Sequence, residues 1–400
     1  MKKIVIILFI LMMPVLASGL FAQNTSPAKI TIGKVANGTN PLKFYNNFGK
    51  DEIYLVAANH PWHGFNSFGI GGFDYSWWEK SFENLSSEGI RALRIWITCD
   101  GGGPVRLITN EESEKYGHVD NIDSRFWDDL DKLFELAGKY RIYLMPTLIS
   151  FDHFNSKNAS LVAQRNAYRA MIRNTKAIDN FISNYIVKFV NRYGNNPWLF
   201  AIDLCNEIVW LYESQLGKEY TIPWDNICEY IARATIAIKE TNSDVLVTLG
   251  LGFIKYQGRG NEQEGNRTSD AYLKSLVKNE GLYKNANLAR LDFFSDHHYS
   301  WMTPYYGSPM RITPWEYRNL TKDQFDRPVI IGEFPAVSEK STLAEDYITT
   351  YKNGWGGLFP WTSTGMPDLG RQIDGAGNWF HVRDGARGFY KEFPHLFPKR

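Results

Sequence analysis

From about residue 51 onward, short runs that are largely apolar on both faces alternate with longer stretches in which apolar residues recur every three or four positions. The short runs are Ile53–Asn59, Ala92–Thr98, Ile142–Leu148, Leu199–Cys205, Val245–Leu251, Leu291–His297, Val329–Glu333 and Gly357–Trp361. A strand covered on both faces has no polar side to show water, so runs of this kind predict a buried parallel sheet rather than a half-exposed antiparallel one. Between the runs the period changes. Asp128–Tyr140 places Leu130, Leu133, Phe134 and Ala137 on one helical face. Ile178–Tyr193 carries Ile178, Phe181, Ile182, Tyr185, Ile186, Phe189 and Val190 before Gly194 as a stop. Asp225–Glu240 and Thr342–Lys352 read the same way. Eight strands, each followed by helical sequence, predict an α/β fold, a (β/α)8 TIM barrel, as a single domain over 51–400.

The N-terminal end departs from this pattern. Lys2 and Lys3 precede an apolar stretch, Ile4 to Leu16, followed by small residues around Ala17-Ser18-Gly19 and Ala22. That order predicts a signal peptide over 1–22, and hence a secreted or periplasmic protein; the stretch is shorter than the ~20 residues of a spanning helix, so the mature chain is expected to have no membrane span. Residues 23–50 are polar and read as an N-terminal leader.

Composition narrows the chemistry. The 44 basic and 43 acidic residues nearly cancel and form no basic run, which argues against a nucleic-acid partner. Three cysteines, Cys99, Cys205 and Cys228, are too few and too odd in number for a disulfide framework; a Cys99–Cys205 bridge is conceivable, and buried free thiols are expected instead. The 13 tryptophans and 22 tyrosines include rings enough for sugar-stacking platforms as well as core.

A barrel of this type carries its chemistry where the strands end. The second run contains Arg94. The fourth ends in Asn206-Glu207. The sixth ends in His297-His298-Tyr299, the seventh in Gly332-Glu333 and the eighth in Trp361. Two glutamates at one barrel mouth are the requirement of glycosidic cleavage, one as acid and then base, the other as nucleophile. With Arg, Asn-Glu, His-x-Tyr, Gly-Glu and Trp in this order, the chain from about Ile53 to Trp361 resembles the clan of retaining β-glycosidases typified by glycoside hydrolase family five, which holds cellulases and β-mannanases. The resemblance implies Glu207 as acid/base and Glu333 as nucleophile. It implies Asn206 on the sugar 2-hydroxyl, Arg94 and Tyr299 holding Glu333 ionised, His297 on the sugar, and Trp361 beneath the sugar beside the cleaved bond. No metal or cofactor is implied; the expected partner is a polysaccharide or oligosaccharide, and the expected state a monomer.

The sequence departs from the family pattern in two places. Ile208 stands where many members have proline, and the third run ends without the histidine common among cellulases, His153 being a displaced candidate. The Arg94-Ile95-Trp96 run and the histidine-poor third strand favour the β-mannanase branch. Trp62, Trp301, Tyr305, Tyr306 and Trp315 are candidates either for sugar subsites or for loop packing. Two rival readings remain. One is a metal-dependent hydrolase drawing on His60, His63, Asp152, His153, Asp296, His297 and His298. The other is a barrel that binds carbohydrate without cleaving it.

Overall fold

The computed structural model describes residues 29–46, 49–213, 217–252, 256, 268–278, 281, 283–299, 325–365 and 375–398. All eight expected strands form: β1 (Leu55–Asn59), β2 (Ala92–Trp96), β3 (Tyr143–Thr147), β4 (Ala201–Asn206), β5 (Leu246–Leu251), β6 (Phe294–His297), β7 (Val329–Pro335) and β8 (Gly357–Trp361). Each pairs in parallel with the next, and β8 pairs with β1 to close the barrel. Their apolar character has the cause inferred from the pattern: apart from Pro335 at the end of β7, every strand residue is buried.

The helices pack outside this barrel, and their ends follow local capping chemistry. The one expected over Asp128–Tyr140 starts earlier, at Ser124, because the Asp123 side chain accepts the Arg125 N–H and caps it. Leu343–Lys352 begins after Thr342, which forms a capping box with Glu345. The segment Thr175–Tyr193 is continuous but winds through a π-turn at Ile182–Ile186, and Gly194 ends it with an ordinary right-handed φ. All three cysteines are buried thiols outside any disulfide, so the Cys99–Cys205 bridge does not form. Among the described residues no helix is long and apolar enough to cross a membrane.

Part of the expected leader has a structural task. Thr31–Ile32, Phe44–Asn46 and Asp51–Ile53 form a small antiparallel sheet, which drives Phe44 into an apolar cluster with Leu55, Phe200, Phe293 and Phe359. The Phe44 ring meets Phe200 and Phe293 edge-on at 5.2 Å each, a favoured aromatic geometry. The barrel interior is thus apolar toward the N-terminal ends of its strands and polar toward their C-terminal ends, where Asn59, Arg94, Thr147, Asp203, Asn206 and Glu333 are all buried. Phe44→Ala is expected to cost about 3–5 kcal/mol of folding free energy, as loss of a buried aromatic does. Denaturant titration reads that cost directly; a loss under 1 kcal/mol would mean that the sheet merely rests against the barrel.

Candidate active site

Arg94 organises the polar end of the barrel. Its Nη1 donates to Glu333 Oε1 at 2.7 Å and to Asn59 Oδ1 at 3.1 Å. Nη2 donates to Asp203 Oδ2 at 2.7 Å and to Asn206 Oδ1 at 2.8 Å, and Nε donates to Asp203 Oδ2 at 2.9 Å. A guanidinium has five N–H donors, and here each has an acceptor, so the group is held in one orientation. A wholly buried arginine needs a facing carboxylate to be tolerable, and Arg94 has two, Asp203 and Glu333.

Glu333 lies on β7 between that guanidinium and Tyr299, whose hydroxyl donates to Oε2 at 3.0 Å. The chain can carry a carboxylate here because residue 332 is glycine: a Cβ at Gly332 would run into Ser295 Oγ and the His297 ring. The register between β6 and β7 also shifts at Asp296/His297, a bulge of the kind that re-aims side chains beside active sites.

Glu207 follows β4 in a different setting. Its backbone φ is +46°, left-handed and uncommon outside glycine, the kind of local strain that collects at functional sites. Proline at position 208 would push the preceding residue toward an extended conformation, whereas Ile208 leaves Glu207 free to take this one. The Glu207 N–H donates to the Gly250 carbonyl at 2.7 Å. Gly250 is itself a close approach: a Cβ there would come within 3.0 Å of Arg94, His297 and Asp203. Glu207 Oε2 accepts the Trp210 indole N–H at 2.7 Å, and Oε1 is 3.0 Å from His297 Nδ1. That same nitrogen is 3.7 Å from Glu333 Oε2, so His297 stands between the two glutamates.

Burial pushes the Glu207 carboxyl up to about 7, against the opposing pull of the Trp210 N–H and the Arg94 charge. The charge of the neighbouring carboxylate Glu333 is not among the causes. Burial also raises Glu333, but His297 and the guanidinium of Arg94 pull it back. Burial lowers His297 to about 4, so its ring is neutral near pH 7. It raises the Tyr299 phenol, helped by the charge of Glu333, so Tyr299 stays a donor. The arrangement therefore separates the two acids by environment: a guanidinium and a phenol favour the charge on Glu333, whereas burial, only partly opposed by one indole N–H, favours the proton on Glu207.

Glu207, His297 and Glu333 each offer a ligand atom within 4.8 Å of the others. This is the group among the described residues that could hold a metal ion, but a cation there would face the Arg94 guanidinium already bound to Glu333. The other histidines of the metal reading do not join it. His60 pairs with Ser363 and stacks on Trp77, His63 lies against the same indole, and His298 stacks on Phe334. His153 bonds to the Ser150 backbone with its ring edge-on to Tyr168, turned toward the helix layer, so it does not replace the missing strand 3 histidine.

Of the residues expected from sequence, Arg94, Asn206, Glu207, His297, Tyr299 and Glu333 come together. Trp361 ends β8 but is only 2 % exposed, its ring 5.7 Å from Trp96 and 5.8 Å from Trp62. Trp62 is packed in that cluster rather than offered as a subsite. Trp301, Tyr305, Tyr306 and Trp315 lie outside the described residues. Three participants were missed: Asn59, Asp203 and Trp210. Asp203 left a signal, since a charged residue inside an otherwise apolar buried strand must find a partner, and Arg94 is its match in β2.

No family model matches the chain. Over 220 residues, 53 % of the chain, it is 26 % identical to mannan endo-1,4-beta-mannosidase F of Aspergillus clavatus, covering 46 % of that protein. Over 251 residues, 62 % of the chain, it is 23 % identical to mannan endo-1,4-beta-mannosidase A of Podospora anserina, covering 60 % of that protein. The chain thus spans about half to three fifths of the length of these relatives. In fold it resembles the endo-1,4-beta-mannanase of Eisenia fetida, with a TM-score of 0.69 at 20 % identity over 93 % of this chain and 96 % of that one.

Proposed function

We propose that this chain is a secreted retaining glycoside hydrolase that cleaves β-mannan, with Glu333 as nucleophile and Glu207 as acid/base. The observation that carries the reading is the asymmetric pair: two buried glutamates share one histidine, yet a single guanidinium binds only one of them. Their nearest oxygens are within 4.8 Å. This accords with the ~5–5.5 Å separation of retaining pairs and falls short of the ~6.5–9.5 Å that an inverting pair needs to admit water.

In the first half-reaction ionised Glu333 attacks the anomeric carbon while Glu207 gives its proton to the departing oxygen. In the second, Glu207 takes a proton from the water that hydrolyses the glycosyl ester. Asn206, steered by Arg94, is available to the sugar 2-hydroxyl. The β-mannan preference rests on the mannosidase relatives and on the third strand, whose end lacks a site histidine. Residues 1–22 supply the export signal in this reading.

The test is turnover of the purified protein on glucomannan, cellulose and xylan in excess EDTA. Cleavage of glucomannan that survives chelation supports the reading. Strong cleavage of cellulose or xylan with negligible action on glucomannan would refute the substrate, and loss of activity restored by a divalent ion would favour the metal reading.

The pH profile follows from the two environments. Because Glu207 must be protonated, kcat/KM should fall as pH rises through about 7. Because Glu333 must be ionised and lies above the usual carboxylate value, the acid limb should sit higher than ~4.3. Stability has the same sign for Glu207. Its folded value is raised, so its contribution is complete below the unfolded value and is lost as pH rises through about 7. Glu207→Gln removes that ionisation, so its advantage in Tm over the wild type should widen from pH 5 to pH 8; a constant difference would contradict it.

A further inference from the structure

Trp210 opens the short helix Trp210–Glu213, three residues after Glu207. Its backbone N–H donates to the Glu207 carbonyl at 3.1 Å, which brings the indole back over the Glu207 side chain, where Nε1 donates to Oε2 at 2.7 Å. The ring is buried, only 2 % exposed, so this bond forms away from bulk water. The other oxygen, Oε1, is the one near His297 Nδ1, which is also the nitrogen nearest Glu333. The two oxygens of the acid are therefore inequivalent: Oε1 turns toward the histidine shared with the second glutamate and Oε2 toward the indole.

An indole N–H can donate but never accept. A hydroxyl on Oε2 would set one hydrogen against another, whereas a carbonyl-like Oε2 accepts the N–H in either ionisation state of Glu207. A hydroxyl on Oε1 meets His297 Nδ1, which accepts it when the neutral ring carries its hydrogen on Nε2. We propose that Trp210 is a positioning residue that keeps the transferable proton of Glu207 on Oε1, the oxygen beside the histidine that stands between the two glutamates. The inference rests on the reading of Glu207 as acid/base. The proton leaves Oε1 for the departing glycosidic oxygen, and the same oxygen recovers a proton from the hydrolytic water. Through both steps Oε2 keeps its bond to Trp210, so the side chain does not have to turn between half-reactions.

Trp210→Phe removes the donor and keeps a ring. Loss of a hydrogen bond to the ionised form should move the alkaline limb of kcat/KM upward by about one to two pH units. At pH 6 the same variant should lose about tenfold or more on mannan, which needs the proton, while an aryl β-mannoside with a good leaving group is nearly spared in the first step. Trp210→His, which restores a ring N–H, should bring the limb back toward the wild type. Equal losses on both substrates with an unmoved limb would reduce Trp210 to core packing and overturn the proposal.

A readout without turnover separates this inference from the function it rests on. In wild-type protein carrying 13C-carboxyl glutamate and 15N-indole tryptophan, the Trp210 N–H resonance should titrate with the same midpoint as the Glu207 carboxyl. An indole resonance that ignores that titration would overturn the proposal even in an active enzyme. Matched midpoints in a protein that cleaves no β-glycoside would sustain the contact while discarding the enzymatic reading.

Discussion

Glu333→Ala should lower turnover by roughly four or more orders of magnitude on polymer and activated aryl glycoside alike, since removal of a nucleophile is not offset by a better leaving group. The variant should nonetheless fold. Arg94 keeps Asp203, whose Oδ2 accepts from both Nε and Nη2, so deleting Glu333 leaves one buried cation against one buried anion. Unchanged stability beside lost turnover is the signature of a reacting group. Glu207→Ala should behave differently: the activated aryl glycoside should still be attacked, while the second step stalls for want of a base. Azide should rescue the two variants to opposite products, an α-glycosyl azide from Glu333→Ala and a β-glycosyl azide from Glu207→Ala. The reverse pairing would exchange the roles.

Arg94→Met should be the most damaging of the site substitutions for stability, costing about 3–5 kcal/mol, the usual penalty for removing one partner of a buried ion pair. Asp203 and Glu333 would both remain buried without their cation, and Asn59 and Asn206 would each lose the donor that meets their oxygen. Arg94→Lys keeps the charge but offers three donors to five contacts in the wrong geometry, so it should recover only part of the loss. What activity remains should have its acid limb displaced upward, because the charge that restrains Glu333 is gone or displaced. Denaturant midpoints with an unchanged slope read the first effect, and kcat/KM between pH 4 and 8 reads the second. A cost under 1 kcal/mol for Arg94→Met would mean that the network contributes little to holding the barrel.

The barrel was legible because its evidence is local: a strand buried on both faces must be largely apolar on both, and all eight such runs became strands within a few residues of their expected bounds. The gathering of Arg94, Glu207 and Glu333 was legible for a related reason, since closing the barrel brings every strand end to one mouth. What escaped was decided across the barrel or by conformation. Asn59 belongs to the site because closure brings β1 beside both β2 and β8, where its amide donates to the Gly332 and Phe359 carbonyls while accepting from Arg94. Trp210 belongs to it because Glu207 takes a left-handed backbone, which no spacing rule foretells. That burial raises Glu207 is not readable from two strand ends, because burial depends on the packed surroundings. Phe44 lay in a segment whose polar composition hid one inward-facing ring.

The central claim, a covalent sugar on Glu333, is open to direct trapping. A 2-deoxy-2-fluoro mannosyl donor with a good leaving group slows both steps but the second more, so the ester should accumulate on the folded wild-type protein. Proteolysis and mass spectrometry should then find one fluoroglycosyl unit on the peptide containing Glu333 and none on the peptide containing Glu207. A label on Glu207, or no label together with a first-formed product of inverted configuration, would contradict the account.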